Sequence, residues 1–281
     1  MHTPIAIEPS TTSGRSDGGG GGILLISAIV AALGSLLFGF DTAVISGTTE
    51  ALQQVYALDK FWLGFTVSSA LFGTMFGSLL VGRPADWWGR RPVLAMLAVV
   101  FVVAALGCAL AWNWYALLFF RWLGGVAVGG ASVVCPMYIT EIAPARRRGL
   151  LVAVSQLNIV LGMLVAYFSN YLVARIFGAD HPSAWRWMFG VMMLPAVAFL
   201  LTALLIPESP RWLVKKGRRQ EAEAVLARFG HASPTQEAGQ LASKKRLANV
   251  VLLKLMVKAR PCRTTPLGWN SSASRGKGAH R

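Results

Sequence analysis

Six apolar runs of about 20 residues alternate with short polar segments along the first 206 positions, and each run is near the length that crosses a bilayer as a helix. The pattern predicts membrane spans at about 23–47, 62–81, 93–111, 114–134, 150–173 and 187–206. Within these spans only two side chains are charged, Asp41 in the first and Arg121 in the fourth. An unpaired charge at mid-bilayer costs about 3 kcal/mol on insertion scales, so an intramembrane charge is a functional candidate by default. The opposite signs of this pair allow mutual neutralisation. A carboxylate that can gain or lose a proton beside a permanent cation suggests proton coupling.

Spacing places the two charges together. Asp41 lies six residues before Gly47, and Arg121 about seven into its span, so with about 1.5 Å per residue both sit roughly 10 Å from the same boundary when the two helices run in opposite directions. A direct ion pair between the first and fourth spans is therefore expected. The alternative at this point is a static salt bridge that only fixes one helix to the other.

Composition agrees with the membrane class. The chain is 54% hydrophobic and 14% charged, with a mean hydropathy of +0.53. Basic residues cluster after the second span (Arg83, Arg90, Arg91), the fourth (Arg146, Arg147, Arg148) and the sixth (Arg211, Lys215, Lys216, Arg218, Arg219). The positive-inside rule then puts those segments, and both termini, in the cytoplasm. Of the formal charge of +15, residues 207–281 hold +12 (16 Lys/Arg against 4 Asp/Glu), which leaves +3 for the membrane body. A basic tail near anionic lipid accounts for this; nucleic acid is not an expected partner.

The chain divides into a polar, glycine-ending leader (1–22), read as flexible, a six-helix transmembrane bundle (23–206), an amphipathic helical segment (207–230) and a basic tail (231–281) with no structure signals. In the segment after Pro207, a helix at 218–229 has Ala222, Val225 and Phe229 on its apolar stripe. Glycines four apart, Gly73 with Gly77 and Gly125 with Gly129, each share a helix face and predict close backbone approach. Six spans in two sets of three also fit an inverted repeat. Cys108 and Cys135 lie in spans and Cys262 in the tail, so no disulfide framework is implied. The four histidines lack metal-ligand spacing, and no nucleophile is paired with a base, so neither a metal site nor an enzyme is expected.

Several motifs carry a family likeness. Gly82-Arg83-Pro84-Ala85-Asp86-Trp87-Trp88-Gly89-Arg90-Arg91 reads as a tight loop with its own ion pairs, and it resembles the loop signature of the major facilitator superfamily. Phe38-Gly39-Phe40-Asp41-Thr42 with Val44-Ile45-Ser46-Gly47, Arg121-Trp122-Leu123-Gly124-Gly125, Pro136-Met137-Tyr138-Ile139-Thr140-Glu141-Ile142-Ala143-Pro144 with Arg148-Gly149, Trp185-Arg186-Trp187-Met188-Phe189-Gly190 and Pro207-Glu208-Ser209-Pro210-Arg211-Trp212-Leu213 look like the sugar porter family of that superfamily. The resemblance covers about residues 23–230 and implies an all-α integral membrane fold, the N-terminal six-helix half of a twelve-helix transporter with substrate near the midplane.

The same resemblance implies roles. Asp41 matches the aspartate of proton-driven sugar porters, with Arg121 as its partner and the proton as coupling ion; no cofactor is implied. Gln156 matches a glutamine that hydrogen-bonds sugar hydroxyls, while the second glutamine common in the family is Met163 here. For Asn158 and Asn170, on the same span, interhelical hydrogen bonding is the reading. Arg83, Asp86, Arg90, Arg91, Glu141, Arg148, Glu208 and Arg211 match a cytoplasmic latch and gate. The implied function is sugar:proton symport by a multi-pass protein of the plasma (inner) membrane, with a sugar, membrane lipid, and a C-terminal half or second copy as partners. The alternative is a truncated or frameshifted half that does not transport, or a membrane scaffold that pairs with another half.

Overall fold

The computed structural model describes residues 20–143, 148–178, 181 and 183–228, and beyond these residues 235, 239 and 243. Two units are distinguished, residues 1–241 and 242–281; the description that follows concerns the first. Most of the tail read from 231 onward lies outside the described residues.

All regular elements among the described residues are helical. They are α1 (Gly20–Val44), a 3₁₀ turn (Ile45–Gly47), α2 (Thr49–Tyr56), α3 (Lys60–Leu80), α4 (Gly82–Trp88), α5 (Arg90–Ala109), α6 (Trp114–Ile142), α7 (Arg148–Phe177), α8 (Ala184–Val191), α9 (Met193–Leu205), α10 (Pro210–Lys215) and α11 (Arg219–Arg228). Among the described residues, six helical stretches are long and apolar enough to cross a membrane: Ser27–Gly47, Lys60–Leu80, Arg90–Ala109, Trp114–Ile142, Val152–Phe177 and Ala184–Leu205. In hydrocarbon a helix satisfies its own backbone polar groups, which is why apolar runs of this length take this form.

Punctuation by proline and glycine differs from the sequence-based expectation in four places. The fourth span does not stop near residue 134 but runs on through Pro136 to Ile142, which carries Tyr138 and Glu141 beyond the apolar stretch on the same rigid helix. Proline is tolerated inside a transmembrane helix because neighbouring groups take up the freed carbonyl. The segment 82–88, expected as a loop, is helix α4: Pro84 falls in its first turn, where a missing N–H costs nothing. The sixth span begins at Ala184 rather than 187 and breaks between α8 and α9 at Met192, three residues before Pro195. Finally, α1 starts at Gly20, so the last three glycines of the run read as flexible leader are helical.

Packing pairs the helices α3 with α6, α1 with α7, and α5 with both α6 and α9. The glycine spacing works as expected at the α3–α6 crossing. A Cβ on Gly73, Gly77, Gly125 or Gly129 would fall against the backbone carbonyls of Trp122, Val126, Ala70 and Thr74 respectively, so the two backbones touch directly. In α11, Ala222 and Leu226 are buried and Val225 packs against the core; Phe229 lies outside the described residues. Trp62, Trp112 and Tyr115 are exposed at one end of the bundle, Trp87 and Trp88 at the other. Such rings mark the two membrane interfaces, and α3, at 21 residues, spans about 30 Å between them.

Candidate functional site

Asp41 sits in the last turn of α1, and Arg121 two turns into α6. Arg121 Nη1 donates to Asp41 Oδ1 at 2.8 Å, and both residues are buried, at 2% and 4% exposure. The guanidinium also lies over the ring of Phe189 in α8, 5.5 Å from its centroid, a contact that suits a desolvated cation. The pair is sparsely held. Arg121 Nε is buried with no hydrogen-bond partner among the described residues, and Asp41 accepts no other hydrogen bond among them. Opening this pair therefore breaks one direct hydrogen bond rather than a bidentate fork.

A second cluster gathers at the arginine-rich end, the end expected in the cytoplasm. Arg90, 6% exposed, donates from Nη1 to Asp86 Oδ1 at 3.1 Å and to the Ala85 carbonyl at 2.8 Å, and from Nη2 to Glu141 Oε1 at 3.0 Å. Ser209 Oγ donates to the other oxygen of Glu141 at 2.5 Å. Glu208 reaches across to the start of α5, where its Oε1 accepts the backbone N–H of Arg90 at 2.9 Å and of Arg91 at 3.3 Å. A carboxylate on the open N–H groups of a helix N-terminus complements the helix dipole.

Gly89 makes this cap possible. Its φ of +110° is left-handed backbone, and a Cβ there would collide with the Glu208 carboxylate. Tyr138, on the α6 extension, donates to the Pro207 carbonyl at 2.9 Å, and its hydroxyl lies 3.4 Å from Ser27 Oγ of α1. The cluster thus joins α1, α4, α5, α6 and the segment after α9.

Asp86 also pairs with Lys215 Nζ at 3.0 Å. Burial pushes its carboxyl up, but the hydrogen bonds and charges of Lys215 and Arg90 outweigh that and hold it below the ordinary 3.8. Arg91, itself exposed, donates from Nη2 to the Leu204 carbonyl at 2.8 Å.

The remaining expected site residues are not brought into either cluster. Arg83 and Arg211 are exposed and make no ion pair with a described residue. The side chain of Arg148 lies outside the described residues. Gln156 is exposed on α7, while Met163, two turns on, packs partly against the core. Asn170 makes an interhelical bond, Nδ2 to the Val44 carbonyl of α1 at 3.1 Å, whereas Asn158 bonds within its own helix, to the Val154 carbonyl at 2.8 Å. Phe189, Ser209 and Lys215 were not singled out from sequence as site residues. The first two stand inside the quoted motifs, which is the signal that marks them; Lys215 offered only a charge.

Comparison with known proteins agrees with this architecture. The sugar (and other) transporter family matches residues 27–258. The glucose transport protein of Synechocystis sp. is 42% identical over 227 residues, 78% of this chain and 48% of the relative. The D-xylose-proton symporter of Escherichia coli (strain K12) is 38% identical over 242 residues, 76% of this chain and 49% of the relative. Among solved structures, the proton:xylose symporter XylE bound to 6-bromo-6-deoxy-D-glucose superposes with a TM-score of 0.75 at 36% identity, covering 80% of this chain and 53% of that one. The chain spans about half the length of the curated relatives it matches. With six membrane-crossing helices and this match, the chain is a multi-pass membrane protein that belongs to the sugar (and other) transporter family of the major facilitator superfamily.

Proposed function

We propose that these six helices are the proton-coupling half of a sugar:proton symporter of the plasma (inner) membrane. The observation that carries the reading is the buried, singly bonded ion pair of Asp41 and Arg121. Loss of charge on Asp41 leaves Arg121, among the described residues, with the Phe189 ring alone, so the protonated and ionised forms favour different arrangements of α1 against α6. A proton that shifts this equilibrium couples to any substrate that shifts it too. Relatives named as proton symporters of D-xylose and arabinose support a pentose as that substrate, and one named a glucose transport protein supports a hexose.

Gln156 is the sugar contact in this reading, since an amide both donates to and accepts from hydroxyls. Met163 removes a second amide from the same face and narrows the polar surface that this half offers. The cluster of Asp86, Arg90, Glu141 and Glu208, with Arg91 bonded to the Leu204 carbonyl, is the cytoplasmic gate, and Arg83 and Arg211 are exposed to partners. The span of about half a relative's length favours a second reading, in which this chain transports only when paired with another six-helix half.

Uptake of labelled D-xylose and D-glucose into proteoliposomes with an alkaline interior tests both readings. The liposomes carry this chain alone or with a co-expressed complementary half. Gradient-driven accumulation is expected in the paired liposomes. Its absence there overturns the symport reading, and robust accumulation by this chain alone overturns the need for a partner.

A further inference from the structure

The α-helical register of α1 stops one turn beyond Asp41. Thr48 donates from its backbone N–H and from Oγ1 to the Ile45 carbonyl, at 3.0 and 2.9 Å, and Ser46 Oγ donates to the Ala43 carbonyl at 2.7 Å. The Val44 carbonyl takes the amide of Asn170 from α7, at 3.1 Å. Asn170 is 6% exposed, and its Oδ1 is buried with no partner among the described residues. An apolar side chain of similar size would fill that place without burying an unsatisfied carbonyl. What the amide adds is the bond to Val44.

Gly47 completes the clasp. A Cβ there would meet Asn170 Nδ2 and Cγ, so this glycine leaves room for the amide rather than serving an unusual backbone angle. Asp41 lies three residues before Val44, within one helical turn, and a turn moves as a unit. Asp41 is faced by Arg121 from α6, and the Cys108 thiol of α5 lies within electrostatic reach of both. Among the described residues no group of α7 bonds to Asp41; α7 reaches it through the backbone at Val44.

We propose that Asn170 is a positioning residue: by holding the Val44 carbonyl it fixes the last turn of α1, and so sets the Asp41–Arg121 contact from the helix that also carries Gln156. Its consequence for transport rests on the proton-coupling reading above. Asn170 and Gln156 lie 14 residues apart, about 21 Å along α7. A shift of α7 on sugar contact would thus pull directly on the turn that holds the proton site.

Solid-state NMR of the full chain in lipid bilayers, labelled with ¹³C-aspartate and ¹⁵N-arginine, tests this. The Asp41–Arg121 cross-peak is assigned by its loss in Asp41→Asn, and the Asp86–Arg90 cross-peak serves as internal reference. Asn170→Ala and Gly47→Ala should each lose most of the Asp41–Arg121 peak and keep the reference. The double variant should lose no more than either single one, because removal of the amide makes room for the added methyl group. Asn158→Ala should lose nothing. An undiminished peak in Asn170→Ala, or losses that add in the double variant, overturns the proposal. Titration of the Asp41 carboxyl signal over about pH 5–9 separates the two claims. A signal that never titrates sinks the proton-coupling reading, while the cross-peaks still decide the role of Asn170.

Discussion

Single side chains at the arginine-rich end do more than fix topology. Gly89 holds a backbone conformation essentially reserved for glycine, at φ +110° and ψ 170°, with a carboxylate where a methyl group would go. Gly89→Ala should therefore destabilise the bundle by about 1–3 kcal/mol, read as a lower unfolding midpoint in detergent. Asp86 adds a pH dependence whose sign follows from its lowered carboxyl. Its links to Lys215 and Arg90 stabilise fully above the unfolded value near 3.8 and are lost as pH falls through the lower folded value. The melting curves of the wild type and Asp86→Asn should differ at neutral pH and converge well below pH 4; a gap that persists there contradicts the assignment. The Asp41–Arg121 contact was legible in sequence because two charges in apolar spans, counted from their ends, have one partner each. The Ser209–Glu141 and Lys215–Asp86 contacts were not, since each joins residues more than 60 positions apart with many exposed alternatives.

Elements were legible to the extent that hydropathy alone defines them. The six spans follow from length and apolarity, and the α3–α6 crossing follows from glycines four apart. Gly125→Ala should push the helices apart at the Ala70 carbonyl and weaken a disulfide engineered across α3 and α6, read as slower cross-linking in membranes. Cross-linking at the wild-type rate would mean that the crossing is looser than described. Proline was the misleading signal. Pro84 and Pro136 look like breakers, yet one opens a helix and the other is spanned by α6, because a breaker acts only where its missing N–H has a helical acceptor to serve and no neighbour replaces it. That difference builds the cluster at the arginine-rich end: the α6 extension past Pro136 carries Glu141 to Arg90 and Tyr138 to Pro207.

At the scale of the whole molecule, the two clusters occupy opposite ends of the bundle and share α1 and α6. Asp41 and Arg121 lie at one end of these helices; Ser27 and Tyr138, with Glu141 beyond, lie toward the other. On the function proposed above, a change at the Asp41–Arg121 pair reaches the Arg90–Glu141 cluster along α1 and α6, which both clusters share. The proposed function rests on the charge of Asp41 for its coupling. It is tested most directly by D-xylose accumulation into alkaline-interior proteoliposomes that hold this chain with a complementary half, comparing the wild type with Asp41→Asn. Asp41→Asn should abolish accumulation against a gradient while sugar exchange across the same membranes continues; accumulation that survives the substitution would show that the Asp41 charge does not couple.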